Sequence, residues 1–245
     1  MSIKGYVFIT TCLIFTIAVA IGLDPFIPIG ASAAKNADTR EKVVALTFDD
    51  GPSVTGTPDV LAILSKYDVK ATFFLIGSNT DKHADLAKRI FNEGHQVAVH
   101  SFNHSSLLPF ETPYQERRDA SSTRDAIRNA TGAAPLFYRP PHGRLTPVMR
   151  WAISNDNFTI VNWSIETQDW KPVTAEEITS QILSKAKPGS IILLHDGINK
   201  ENNPDRTEMV KAIDKTIPIL QKEGYKFVTI AELFHKVPYE NSRTD

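Results

Sequence analysis

Cysteine is almost missing from this chain of 245 residues: the single one, Cys12, lies in the extreme N-terminal apolar stretch. The rest of the sequence can form no disulfide and offers no thiolate set for a metal. An excess of charge of either sign is missing too. Lys and Arg number 27 against 28 Asp and Glu, a net charge of −1, so neither a nucleic-acid partner nor an acidic solvating tail is indicated. No internal repeat, low-complexity tract or HExxH zinc helix occurs. What remains is an ordinary globular composition, 42% hydrophobic and 22% charged, of a length suited to one large domain or two small ones.

The N-terminus reads as an export signal. Lys4 precedes the uncharged apolar run YVFITTCLIFTIAVAIGL (6–23), and GASAAK (30–35) offers an A-x-A cleavage site after Ala33. The run is also long enough to span a bilayer, so residues 1–33 are expected to be a signal peptide or an N-terminal membrane anchor. Either way the body is exported: secreted, associated with a cell wall, or anchored outside the membrane. AKNADTRE (34–41) reads as a polar linker, and residues 42–245 as one domain. Four N-x-S/T triplets, at Asn103, Asn129, Asn157 and Asn162, are read as coincidental.

Beyond the linker, apolar strand-like runs alternate with helix-like segments. The strand candidates are 43–48, 71–77, 96–100, 136–139, 158–164, 190–195 and 226–230; helix candidates run through 57–66, 82–93, 112–131, 146–154, 174–186 and 209–223, with 231–236 closing the chain. Continuous apolar strands between helices predict a parallel sheet buried on both faces. Seven of them suit either a (β/α) barrel with fewer than eight units or an open doubly wound sheet. The unusual polar clusters, DDGP, HSFNH, RPPHG, ETQDW and HDG, all fall at C-terminal strand ends, where α/β folds build active sites.

Two adjacent carboxylates, Asp49 and Asp50, repel each other and call for a cation or a shared proton. His100 and His104, four apart, can converge on one metal if the segment coils into a helical turn. A hydrolytic zinc site takes three protein ligands, so Asp50 completes an Asp-His-His set and Asp49 is left free to serve as the base. Neighbours on an extended chain point to opposite sides, which separates the two aspartates. Arg139, in a backbone stiffened by two prolines, can hold Asp49 ionised and oriented. The backbone N–H of His142 can stabilise an oxyanion, and His195, closing SIILLH, can protonate a leaving group. Asp169 is expected to pair with Arg139 or to tune a histidine. Trp170 is read as either core or sugar-facing, Trp163 as core, and His83, His95 and His235 as surface residues.

In this order and spacing, TFDDGP, HSFNH, RPPHG, ETQDW and LLHDG resemble the five motifs of the polysaccharide deacetylase family, also called the NodB homology domain or carbohydrate esterase family 4. The resemblance spans roughly residues 42–236. It implies a distorted (β/α) barrel with about seven parallel strands and metal-dependent removal of acetyl groups from polysaccharides. It further implies that Asp49 is the base, that Asp50, His100 and His104 hold a divalent metal, and that Arg139 orients the base. By the same resemblance Asp169 supports both the arginine and the acid, His195 is the acid, Leu193 lines the acetyl-methyl pocket and Trp170 walls it. Zinc is the first expectation, with cobalt, nickel or iron as fitting alternatives. The implied partner is a polysaccharide, peptidoglycan or a chitin-like oligomer, with acetylated xylan as the rival substrate and a silent glycan-binding module as the rival class. No protein partner and no nucleic acid is expected. Two positions depart from the family pattern: His142 stands where Phe or Tyr is usual, and Glu166 where Asp is frequent.

Overall fold

The computed structural model describes residues 33–104, 112–198 and 205–240. The strands are β1 (Val43–Asp49), β2 (Thr72–Ile76), β3 (Gln96–Ser101), β4 (Phe137–Tyr138), β5 (Thr159–Ile160), β6 (Ile165–Glu166), β7 (Ser190–His195) and β8 (Lys226–Phe227). Between them lie helices α1 (Gly56–Lys66), α2 (Gly77–Lys82), α3 (Ala84–Asn92), α4 (Pro113–Thr131), α5 (Pro147–Asn155), α6 (Ala175–Lys185), α7 (Thr207–Lys222) and α8 (Ile230–Leu233). Four of these helices begin where the sequence supplies a side-chain cap. Thr112, Thr174 and Thr229 each form a capping box with Gln115, Glu177 and Glu232, and Thr146 caps α5 ahead of Pro147. The polar segment GSNTDK lacks a helical pattern yet forms α2, tied to its surroundings by Ser78 N–H to Phe102 O and Asn79 Nδ2 to Asp50 O.

All strand pairs are parallel, in the order β5-β4-β3-β2-β1-β7-β6, with β8 beside the start of β1. β5 and β6 stand at opposite ends of that order, yet only residues 161–164 separate them. A fully extended chain spans at most about 18 Å from Ile160 to Ile165. The sheet must therefore curl until its two edges nearly meet, which makes it a barrel open along one seam. The expected strand 158–164 is thus two pieces: its first residues form β5, its remainder crosses the seam, and the unforeseen β6 pairs with β7 beyond it. Residues 34–37, the first half of the expected linker, fill the seam. Ala34 N–H donates to Ile160 O and its carbonyl accepts from Asn162 N–H, while Ala37 N–H donates to Gly189 O. Gly189 is required there, because a Cβ would lie 2.2 Å from Ala37 O.

Strand periodicity sorts the side chains into two layers. Ala45, Phe74, Ala98, Phe137, Val161 and Ile191 fill the barrel interior, whereas Leu46, Phe48, Phe73, Leu75, Val97, Val99, Ile192 and Leu194 pack beneath the helices. His95, expected at the surface, is instead 4% exposed and lies edge-on to Phe73. Its Nδ1 accepts from Ala71 N–H, and burial pushes the imidazole down to about 4. Among the described residues no helix is long and apolar enough to cross a membrane. Residues 1–32, which carry nearly all of the expected signal peptide or anchor, lie outside the described residues.

Candidate active site

The inner face of the barrel carries small or apolar residues at depth and polar ones at the rim. Along β1 the inward sequence is Ala45, Thr47, Asp49; along β3 it is Ala98, His100; β4 adds Phe137 and then Arg139; β7 adds Ile191, Leu193, His195. Asp49 and His195 are direct partners in the β1–β7 register, so two neighbouring strands deliver them at one level. Leu193, 3% exposed, lies two residues below His195 on the same face.

Asp50 does not leave the strand by simple alternation, as the sequence suggested. Its φ is +74°, a left-handed conformation that costs a non-glycine residue about 1–3 kcal/mol. The surroundings hold it there. Its carbonyl accepts from Asn79 Nδ2 at 3.0 Å, and the turn is pressed against the HDG segment after β7. A Cβ on Gly51 would lie 2.4 Å from the Asp196 carboxylate, and one on Gly197 2.4 Å from Asp50 O. The DDG and HDG glycines thus let two motifs interlock. Asp196 itself is fully buried, accepts from Thr57 Oγ1, and is raised to about 7, chiefly by burial.

The interlock places Asp50 Oδ1 3.4 Å from His100 Nε2 and 3.5 Å from His104 Nε2. The two histidines converge through a bend rather than a helical turn. His100 is within β3, and His104 follows at φ +46° with its N–H on Ser101 Oγ. His100 Nδ1 lies 2.7 Å from Arg139 O. A carbonyl can only accept, so Nδ1 carries a proton and Nε2 is the ring atom turned towards Asp50. Burial alone would raise the Asp50 carboxyl, but the hydrogen bond and charge of His100, then His104 and His195, hold it well below the usual range. Burial and the charge of His100 push His104 down to about 4. Burial also opposes protonation of His100, which Asp49 and Asp50 nevertheless raise.

The donor set fits a divalent cation. One carboxylate oxygen and two imidazole nitrogens lie within 4.8 Å of one another. Ligands bound to one zinc at roughly 2.1 Å in a tetrahedral array stand roughly 3.4 Å apart, close to the two separations from Asp50.

On one side of this cluster Arg139 is wholly buried. Its Nη1 donates to Asp49 Oδ1 (2.6 Å) and Thr47 Oγ1 (2.8 Å), Nη2 to Asn162 O and Nε to Val161 O. The guanidinium lies 4.0 Å over Phe74 and 5.7 Å from Trp163, which is half-buried against it rather than part of the deep core. On the other side Asp169 Oδ1 accepts from His195 Nδ1 (2.9 Å) and Thr167 Oγ1, and Oδ2 accepts from His195 N–H (2.8 Å). Burial works against the imidazolium, yet the charge and hydrogen bond of Asp169, with Asp50 and Asp49 beyond, raise His195 to about 9. Of the two expected roles Asp169 takes the second, holding a histidine, His195, rather than pairing with Arg139; its arginine partner is Arg206, which carries no motif. His142 is exposed at φ +57°, its ring edge-on to His104 at 5.1 Å. Trp170 is 49% exposed and lines a recess of about 260 Å³ with Asp169 and Arg206. Glu166 is exposed on β6. Of seven non-glycine residues with positive φ among those described, Asp50, His104, His142 and Gln168 belong to these site loops, as expected where backbone strain serves a function.

Residues 36–161 match the family model of polysaccharide deacetylase. A peptidoglycan-N-acetylglucosamine deacetylase of Bacillus cereus is 41% identical over 194 residues, covering 78% of this chain and 68% of that protein. The chain belongs to the polysaccharide deacetylase family. The peptidoglycan-N-acetylglucosamine deacetylase PgdA of Listeria monocytogenes is 39% identical over 193 residues, 79% of this chain but only 39% of that protein's length. Among solved structures, a peptidoglycan N-acetylglucosamine deacetylase bound to an N-oxidanyl-benzamide superposes with a TM-score of 0.78 at 38% identity, covering 85% of this chain and 95% of that one. A family 4 acetyl xylan esterase of Clostridium thermocellum in complex with a cobalt ion gives a TM-score of 0.69 at 37% identity, covering 79% and 91%. The curled parallel barrel is therefore the fold of this family, in agreement with the arrangement implied by the five motifs.

Proposed function

We propose that this polysaccharide deacetylase hydrolyses the N-acetyl group of N-acetylglucosamine residues in an extracellular glycan, peptidoglycan or a chitin-like oligomer, with a divalent metal held by Asp50, His100 and His104. The observation that carries the reading is the pair of buttressed side chains flanking that cluster: Asp49 locked by Arg139 on one side, His195 locked by Asp169 on the other. Bound there, a cation such as zinc supplies Lewis acidity to an acyl oxygen and to water. Asp49 takes a proton from the attacking water, whose oxygen adds to the acetamide carbon. In this reading the backbone N–H of His142 donates to the oxygen that gathers charge. As the C–N bond breaks, the amine nitrogen takes the proton of His195 Nε2, while Nδ1–H stays on Asp169. Acetate and a free amino sugar result. Leu193 and Trp170 form the apolar floor and wall for the acetyl methyl. Substrates of the named relatives and the apolar N-terminal run both support a site of action outside the cytoplasm.

The likeness to the acetyl xylan esterase favours one second reading, O-deacetylation of xylan by the same groups. The test is acetate release by the full-length protein from peptidoglycan, N-acetylglucosamine oligomers and acetylxylan, each after metal stripping and after adding zinc or cobalt. Metal-dependent release from the glucosamine polymers is expected, together with a metal-induced rise in melting temperature that His104→Ala abolishes. Release from xylan alone would move the assignment to the esterase, and release undiminished by stripping would overturn the metal site. Metal uptake with no acetate from any substrate would favour a silent glycan-binding module.

A further inference from the structure

Arg206 belongs to none of the five motifs and stands directly before α7. Its side chain is 8% exposed. A buried guanidinium is costly unless paired, and the only carboxylate within ion-pair reach among the described residues is Asp169, with Nη1 3.7 Å from Oδ2. The same Nη1 donates to the Asp169 carbonyl at 3.2 Å, while Nε is taken by Asp205 O. The close path of the Arg206 stem depends on Gly56 at the start of α1, where a Cβ would lie 2.9 Å from Arg206 Cγ. Asp169 is thus gripped from both directions. Arg206 holds its backbone and one carboxylate edge, and the carboxylate in turn holds two groups of His195, the ring Nδ1 and the backbone N–H.

We infer that Arg206 is a positioning residue for the acid: by clamping Asp169 it fixes the His195 ring so that Nε2 is presented to the departing amine. The inference rests on the reading proposed above and adds a residue that does not touch the substrate's reacting atoms. A purely structural arginine would slow every substrate alike. One that acts through the acid matters only when the leaving group needs a proton. An amine leaving from an acetamide needs one; 4-nitrophenolate leaving from 4-nitrophenyl acetate does not.

The experiment compares wild type, Arg206→Gln and Arg206→Lys, loaded with zinc, on N-acetylglucosamine oligomers and on 4-nitrophenyl acetate. Arg206→Gln is expected to lower kcat on the oligomers about 10-fold, the scale of losing an outer partner of a functional imidazole, with KM within about 2-fold and the activated ester within about 2-fold of wild type. Arg206→Lys is expected to recover part of the oligomer rate. Equal slowing of both substrates, or no slowing of either, overturns the inference. If Arg206→Gln does not fold, the lysine variant is judged by the same ratio of the two substrates. A wild-type protein that releases no acetate from the oligomers refutes the proposed function instead, whatever Arg206 does.

Discussion

Replacing Arg139 by methionine isolates the charge at the centre of the site, because methionine keeps an apolar contact with Phe74 while removing every guanidinium bond. Arg139 is wholly buried and Asp49 is 2% exposed, joined at 2.6 Å. Burial pushes the arginine down from its ordinary value while the Asp49 charge and hydrogen bond oppose this, so the pair offsets part of its own desolvation. Removing one partner of such a pair leaves the other as a buried, uncompensated ion, at a cost of about 3–5 kcal/mol. For a domain of this size 1 kcal/mol moves the melting temperature by about 2–4 °C, which gives a fall of roughly 6–20 °C. Asp49→Leu alone strands the arginine and should cost a similar amount. The double variant Asp49→Leu/Arg139→Met strands neither, so its loss should fall short of the sum of the single losses by at least about 2 kcal/mol. Urea unfolding of the four proteins measures this, read from midpoints at unchanged slope. Additive losses, within about 0.5 kcal/mol, would refute the claim that these two residues stabilise one another.

Two further outcomes follow from the titrating groups. His195 is raised to about 9 and must carry its proton to act as acid, so kcat on N-acetylglucosamine oligomers should be retained at neutral pH and lost as pH rises through a limb at or below about 9, since a bound cation disfavours the imidazolium further; activity undiminished above pH 10 would refute the assignment. His95 has the opposite sign: burial holds it near 4 in the folded state against 6.5 in the open chain, so below 6.5 the unfolded chain takes up a proton first. Its stabilising effect is complete above about pH 6.5 and is lost as pH falls through 4, a change of about 3 kcal/mol, which His95→Gln should remove. Parallel loss of stability in wild type and variant across that window would show that other groups carry it.

Much of the site could be read from the sequence because it is built from strand ends. A period of two puts Asp49, His100, Arg139 and His195 on one face as soon as their strands are recognised, and the register of β1 with β7 then brings Asp49 and His195, the proposed base and acid, side by side. What escaped the reading was set by contacts distant in sequence or by local backbone strain. Arg206 reaches Asp169 across 37 positions, and nothing local distinguishes it from a surface arginine. Asp196 was visible only as the middle of HDG; the close approach of Gly51 to its carboxylate was not. The ring of His95 sits just before a strand, a place compatible with solvent, and its burial under Phe73 follows only from packing. β6 pairs through two residues, too few for any periodicity to show. The Asp50 turn is the most instructive case. Alternation along a strand separated the two aspartates in principle, but the separation actually comes from a left-handed residue held by Asn79 and by the HDG backbone.

The charges around the site explain why so many ionic groups tolerate burial near the barrel mouth. Three carboxylates, Asp49, Asp50 and Asp169, face three cations, Arg139, Arg206 and the protonated His195. Before any metal or substrate enters, these six sum to zero, and a divalent metal leaves a surplus of positive charge where an acyl oxygen would become negative. In the proposed reaction Asp49 gains one proton and His195 gives one up, so the protein's side chains carry the same total charge before and after the C–N bond breaks. The step therefore leaves the net charge of these groups unchanged, while Arg139 and Asp169 each face a neutral partner until the proton returns. The next turnover requires the reverse transfer, from Asp49 back to His195. The register that sets the two side by side on β1 and β7 shortens that return path as well as the forward one.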